Sequence, residues 1–276
     1  MPENSPQKDL PMPSFRFLAF RFFAFRLLAP ALFAFALCGA PLSASAESFS
    51  DTQRGDIETI VRNYLIAHPE VLEEAMAELN KRQAAAETEK HEAGVAQHAD
   101  AIFKSPRGVT LGNKDGDVTF VEFFDYNCGY CKRAMADMME LMKADPKLKV
   151  VLKEFPVLSA GSVEAAQVAV AVRMQDPTGK KYLDFHQKLL GGRGAADKAR
   201  ALAVAKEVGL DMAKLDKDLA SPEVKATLEE NLKLAEAMGM NGTPSYVIGK
   251  QVVIGAVGVD NLKEKIGIAR CGKATC

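Results

Sequence analysis

The 276-residue sequence predicts an α/β domain with a long helical insertion, preceded by a helical arm and a leader. Three observations carry that expectation. A β-rich run, Val118–Phe124, is followed by a helical stretch and by a second β-rich run, Leu148–Phe155. Residues from about 161 to 240 read as helical by period and composition. A hairpin pattern then spans Pro244 to Ile254, with Gly249-Lys250 at its tip, and leads into a closing helix over Val259–Ile268.

Composition narrows the classes. Hydrophobic residues make up 48% and charged residues 26%, so a core can form without help from disulfides. The net charge of −1 gives no electrostatic reason to expect nucleic-acid binding. Five Cys and four His are too few for a disulfide-dense scaffold or a large metal cluster.

Residues 1–46 have the parts of a secretory signal peptide. Arg16, Arg21 and Arg26 precede an apolar run from Leu27 to Leu37, and Ala44-Ser45-Ala46 offers a small-residue cleavage site. A membrane anchor is disfavoured by Pro30, Gly39 and Pro41, which interrupt the run. A lipidated Cys38 is disfavoured by Leu37, where a small residue is expected. Export to the periplasm is the expectation. After cleavage four Cys remain, in the pairs Cys128/Cys131 and Cys271/Cys276, and an oxidising compartment lets both form disulfides.

Residues 47–107 read as a helical arm and linker. Ile57, Ile60, Val61, Tyr64 and Leu65 recur at helical spacing, and Pro69 suits the first turn of a second helix. Val71, Leu72, Ala75, Met76 and Leu79 continue an apolar stripe. Lys81 to His98 is polar and Ala-rich, with nothing to bury, and residues 104–108 look like a linker ending in a turn. The stripe must find a surface, either on its own domain or on copies of itself. The polar spacer favours self-association.

Residues 108–276 form the expected catalytic domain. Cys128-Gly129-Tyr130-Cys131 falls where the first strand gives way to a helix. A thiol at a helix N-terminus meets unpaired N–H groups and the positive end of the helix dipole, which favour its thiolate. Cys128 is therefore expected to attack and Cys131, one turn in, to resolve. The alternatives are an inert disulfide or half a zinc site, for which Cys271 and Cys276 are a poorly spaced second half. The carboxylate of Glu122, six residues before Cys128, would have a raised pKa if desolvated behind the thiols, and Lys153 on the next strand is a candidate charge partner.

Phe123-Phe124-Asp125-Tyr126-Asn127-Cys128-Gly129-Tyr130-Cys131, the helical insertion and Gly242-Thr243-Pro244 together resemble the bacterial periplasmic DsbA/DsbC-like thiol-disulfide oxidoreductases of the thioredoxin superfamily, over about residues 108–268. With the arm added, the pattern is similar to the suppressor-of-copper-sensitivity C (ScsC-like) proteins. The resemblance implies a thioredoxin fold with a helical insertion, behind an N-terminal oligomerisation arm. It implies a cis Pro244 facing the active-site pair, a Thr243 backbone offered to a substrate strand, and a proton-transfer role for Glu122. Gly129, Tyr130, Thr243 and Pro244 are then the substrate-contacting set. Gly129 and Tyr130 put no His between the thiols, which argues for a mild redox poise.

The implied activity is disulfide isomerisation or reduction on unfolded or mis-disulfided secreted proteins, with a membrane redox partner. No cofactor beyond the redox-active disulfide is implied, and a homo-oligomer, a trimer foremost, is. The alternatives are a DsbA-like dithiol oxidase, a copper-binding periplasmic chaperone holding Cu(I) on the same thiols, and a chaperone holding unfolded clients through the arm. Cys271/Cys276 reads as a structural disulfide. Gly191-Gly192-Arg193-Gly194 reads as a helix-to-helix turn, His186 as a packing or surface residue, and Met135, Met138, Met139 and Met142 as a core or contact stripe.

Overall fold

The computed structural model describes residues 49–276. The leader and its expected cleavage site lie outside the described residues. The chain divides into two compact units, with the boundary between Val61 and Arg62.

The described part of the first unit is Phe49–Val61, most of it the start of α1 (Asp51–Ala67). Ser50 and Gln53 cap this helix reciprocally. Ile57, Ile60 and Val61 are exposed.

The second unit begins with the rest of α1 and with α2, a continuous 28-residue helix (Glu70–Gln97) whose N-cap is Pro69. Tyr64, Ile66, Leu72, Met76 and Leu79 are exposed along them. The segment Lys81–His98, read as having nothing to bury, is corrected at its end. Gly94 and Val95 are buried, and a Cβ on Gly94 would come within 2.9 Å of the Ala237 carbonyl oxygen. A polar helix needs only one small face to dock, and a glycine there lets two backbones approach. Short α3 (Ala99–Phe103) follows and buries Ile102. The turn at 104–108 is tied down by Arg107, which donates to Glu223 and Glu230.

The sheet has five strands where the sequence pattern suggested four. The additional one is β1 (Val109–Gly112), antiparallel to β3 (Leu148–Glu154) at the sheet edge. Strand β2 (Val118–Phe124) runs parallel to β3, joined by α4 (Gly129–Ala144). The hairpin of β4 (Ser245–Ile248) and β5 (Gln251–Ile254) completes the order β1-β3-β2-β4-β5. Its two-residue turn uses Gly249 at φ 61°, a left-handed conformation natural to glycine.

Between β3 and β4 lies the helical insertion: α5 (Ala160–Gln175), α6 (Lys180–Gly191), α7 (Lys198–Glu207), α8 (Met212–Leu219) and α9 (Pro222–Ala237). The Gly191–Gly194 run is the turn between α6 and α7, as expected. Helix α10 (Val259–Cys271) closes the chain and runs three residues past its expected end, to Cys271, which is disulfide-bonded to Cys276.

Strand parity splits the core in two. Phe120, Phe124, Val150 and Leu152 face one layer, with Cys131 and Met138 of α4, Tyr246 of β4 and Leu262 of α10. Val121, Phe123 and Val151 face the other, with Val95 of α2, Ile102 of α3 and Leu234 of α9. Met138 is buried and Met135, Met139 and Met142 pack beside it, so the Met stripe of α4 faces the core.

Candidate active site

Apart from the half-buried Thr119, every residue of β2 is buried, Glu122 included, and the strand delivers the following loop to the sheet's C-terminal edge. There Asp125 fixes the turn. One of its oxygens accepts the Asn127 amide, the other the amides of Val157 and Leu158. Asn127 reaches the far side, exchanging hydrogen bonds with the Ala196 backbone and donating to Ser162. The loop is thus tied at two points to chain segments that belong to the insertion.

Cys128 is the N-cap of α4, and its sulfur accepts the Cys131 amide at 3.3 Å. On its other side the sulfur lies 3.1 Å from the Thr243 carbonyl oxygen, to which the protonated thiol donates. The Thr243–Pro244 bond is cis. Both thiols are free and buried. The Cys128 thiol is pushed down to about 5, chiefly because the Cys131 thiol donates to it, with Thr243 and the Cys131 and Tyr130 amides acting against burial. Burial, and then that same hydrogen bond, pushes the Cys131 thiol far up. One thiol is favoured as a thiolate and the other as an acid, an arrangement that suits attack by the first and resolution by the second. No imidazolium is needed: the second thiol and the helix N-terminus stabilise the anion themselves.

Glu122 is buried beneath this pair. Burial pushes its carboxyl up to about 8, with Asp137 and Cys128 adding to the effect. The expected charge partner, Lys153, is elsewhere. The parallel register pairs Glu122 with Leu152 and Phe123 with Lys153, so Lys153 leaves the sheet on the opposite face. There, fully buried, it lies 3.8 Å from Glu230 and 3.5 Å from the Asn231 side-chain oxygen.

A raised carboxyl has a stability consequence. Between pH 4.5 and about 8 the folded state holds the Glu122 proton while the unfolded state has lost it. Stability therefore falls as pH rises through that window, by an amount on the order of 4 kcal/mol at its upper end. Glu122→Gln is expected to raise the unfolding midpoint strongly at pH 8.5 and little at pH 5. Equal midpoints for the two proteins at pH 8.5 would contradict the buried, proton-holding carboxyl.

The surface beside the thiols mixes exposed apolar and basic side chains. Tyr130 is 60% exposed with Arg133 stacked on its ring at 4.4 Å, and Leu158 is 55% exposed beside the anchored loop. Gly129 is exposed, and nothing lies within 4 Å of a Cβ built on it. Among the described residues no group of three or more His, Cys, Asp or Glu could hold a metal ion.

His186 is a packing residue, one of the two readings the sequence offered, but the polar and aromatic layer it belongs to was not expected. His186, Tyr182 and Tyr126 pack together with Phe124 beneath the catalytic loop. Tyr182 donates to the buried Glu154 at 2.6 Å, and the Tyr182 and Tyr126 hydroxyls lie 3.4 Å apart. Burial pushes the His186 ring down to about 3, so it is neutral. Tyr182 and His186 sit four apart on α6, the one signal the sequence carried for a shared face.

The family described as DSBA-like thioredoxin domain matches residues 119–267, and that described as copper resistance protein ScsC N-terminal domain matches residues 53–86. A thioredoxin-like oxidoreductase of Silicibacter pomeroyi is similar at 44% identity and TM-score 0.59, over 62% of this chain and 96% of that one. A linker-deletion mutant of ScsC from Proteus mirabilis is similar at 28% identity and TM-score 0.60, over 82% of this chain and 98% of that one. Among curated proteins, a Na(+)/H(+) antiporter NhaA of Herminiimonas arsenicoxydans is 27% identical over 167 residues, 59% of this chain. The chain spans about a quarter of that antiporter, 26% of its length. Among the described residues no helix is long and apolar enough to cross a membrane.

Proposed function

Because the chain belongs to the family of DSBA-like thioredoxin domains, we propose that it is a periplasmic thiol-disulfide oxidoreductase that isomerises or reduces disulfides in secreted proteins. The observation that carries this reading is the placement of Cys128 at the N-cap of α4, its sulfur accepting the Cys131 amide at 3.3 Å and lying 3.1 Å from the Thr243 carbonyl oxygen ahead of the cis Pro244.

The reaction starts with the Cys128 thiolate attacking a substrate disulfide. A Cys128–substrate bond forms, the substrate S–S bond breaks, and the departing substrate thiolate takes a proton from water. A different substrate thiolate can then attack the mixed disulfide, which returns Cys128 reduced and leaves the substrate with a new pairing. Alternatively the Cys131 sulfur attacks Cys128 while its proton passes to the Glu122 carboxylate. The substrate then leaves reduced and the enzyme leaves oxidised, and a membrane dithiol partner would restore it. In the oxidising direction the neutral Glu122 returns that proton to Cys131. Gly129, Tyr130, Thr243 and Pro244 border the attacked sulfur, and the exposed Tyr130 and Leu158 suit apolar segments of unfolded clients.

The exposed apolar residues of α1 and α2, together with the ScsC N-terminal match over 53–86, support assembly through the arm, a trimer foremost. Several thiol pairs on one particle would raise the effective concentration of catalyst around a held client.

The copper alternative rests on the Cys128/Cys131 thiols, and the copper resistance protein ScsC N-terminal domain matches only residues 53–86. That segment contains no Cys, one His (His68) and one Met (Met76), a poor donor set for Cu(I). The reduced Cys128/Cys131 pair supplies two soft donors, and no step of the reaction runs through a metal.

The test is reactivation of scrambled, fully oxidised ribonuclease by the protein beginning at Glu47. Recovery supports an isomerase. Oxidation of reduced ribonuclease without recovery of the scrambled form would mean a DsbA-like oxidase.

A further inference from the structure

Tyr246 has a hydroxyl that its position does not explain. The residue is 1% exposed, and its ring packs tilted on Phe120 with centroids 5.1 Å apart, a contact phenylalanine would make equally well. The hydroxyl is buried with no hydrogen-bond partner. A buried polar atom left unpaired costs stability, so it calls for an explanation.

The sheet register supplies one. Antiparallel β2 and β4 pair Tyr246 directly with Glu122. Directly opposite residues send their side chains to the same face. That face is the one holding Cys128 and Cys131. The charged and titratable groups acting on Tyr246 are Glu122, Cys131, Asp137 and Cys128. Those raising Glu122 are Asp137 and Cys128. Helix α10 packs on the same layer, but its Lys263 is paired with Glu140 and its Arg270 with Asp117 and Asp145. No cation among these groups meets the Glu122 carboxylate when it ionises.

We infer that the Tyr246 hydroxyl is a positioning group for proton transfer, donating to the Glu122 carboxylate in the state that accepts the Cys131 proton. The inference rests on the role proposed for Glu122 and adds to it. In the resolving step the Cys131 S–H proton goes to Glu122, the Cys131 sulfur bonds to Cys128, and the Cys128–substrate bond breaks. The substrate leaves as a thiolate and is protonated by water; its sulfur is reduced, Cys131 is oxidised, and Cys128 stays at the disulfide level it reached in the mixed disulfide. Glu122 must be ionised before this step and neutral after it. A donor that pairs only with the ionised form lowers the cost of reaching it inside an apolar layer. It also keeps the carboxyl close enough to neutrality to work in both directions.

The experiment loads a fluorescent peptide thiol onto Cys128 as a mixed disulfide and follows its single-turnover release against pH. The proteins are the wild type, Tyr246→Phe, Glu122→Gln and the double variant. Losing the hydroxyl removes stabilisation of the carboxylate, so Tyr246→Phe is expected to move the pH midpoint of release upward. Release at pH 7 should slow on the order of tenfold, the consequence of about one pH unit. Glu122→Gln should abolish the midpoint, and Tyr246→Phe should change nothing further in that background. The unfolding midpoint of Tyr246→Phe should not fall, because the atom removed is unpaired.

A wild-type midpoint in Tyr246→Phe, with the midpoint lost in Glu122→Gln, overturns the role of the hydroxyl and leaves that of Glu122 intact. A midpoint retained in Glu122→Gln overturns the role of Glu122 itself. Equal slowing by Tyr246→Phe in both backgrounds overturns the coupling.

Discussion

Cys128→Ser is expected to reduce disulfide exchange on the order of 10³-fold or more, to the uncatalysed background, because it removes the sulfur that forms the covalent intermediate. Cys131→Ser should behave differently. Its Cys128 still attacks, but nothing inside the protein releases the product, so mixed disulfides with clients accumulate. The same substitution removes the thiol that does most to depress Cys128, so the Cys128 thiol should rise from about 5 toward the ordinary cysteine range. Iodoacetamide alkylation of the reduced proteins against pH, with mass spectrometry of trapped adducts, reads both effects. Adducts that build up on Cys131 in Cys128→Ser would reverse the assignment of the two thiols.

Removing residues 49–80 should uncouple isomerisation from simple thiol exchange. This stretch holds the exposed Ile57, Ile60, Tyr64, Leu72, Met76 and Leu79, and it ends before the buried Gly94 and Val95. Large apolar side chains exposed in series on a helix are unfavourable unless another surface covers them. If copies of the chain are that cover, the shortened protein is a monomer by light scattering. It should keep dithiol exchange with a small peptide within about twofold and lose on the order of tenfold in reactivation of scrambled ribonuclease, since the gain from several sites on one particle is gone. An unchanged mass for the shortened protein would remove the arm from the assembly.

Much of this arrangement could be read from residue order, and the failures share a cause. Strand β2 announces itself as Val118-Thr119-Phe120-Val121 before the thiol pair, and the hairpin by Gly249-Lys250 between two β-rich runs. Both are local signals. Strand β1 has four residues ending in Gly112, and only its antiparallel pairing with β3 makes it a strand. Lys153 is close to Glu122 in the strand order, yet a one-residue difference in register sends it through the sheet to Glu230. Gly94 sits in a polar helix with nothing nearby in sequence to show that Ala237 would meet it. The layer of Glu154, Tyr182, Tyr126 and His186 joins residues from β3, α6 and the catalytic loop, which only tertiary packing brings together. Among the candidate site residues, Cys128 and Cys131 are legible because their chemistry depends on a helix start. Glu122 is legible as a position but not in its environment, and Tyr246 is not legible at all, since its meaning is the residue across the ladder.

The double anchoring of the catalytic loop has a consequence for how the protein opens. The Val157 and Leu158 amides end on Asp125, and the Ala196 amide ends on Asn127, three and one residues before Cys128. Those three N–H groups can exchange with solvent only when the loop lets go of them. They should therefore form one protection class in native-state hydrogen exchange, although Ala196 lies 39 positions beyond Val157 along the chain. That class should respond as a unit when the thiol pair is oxidised or reduced, which makes three backbone amides outside the active-site motif reporters of its redox state.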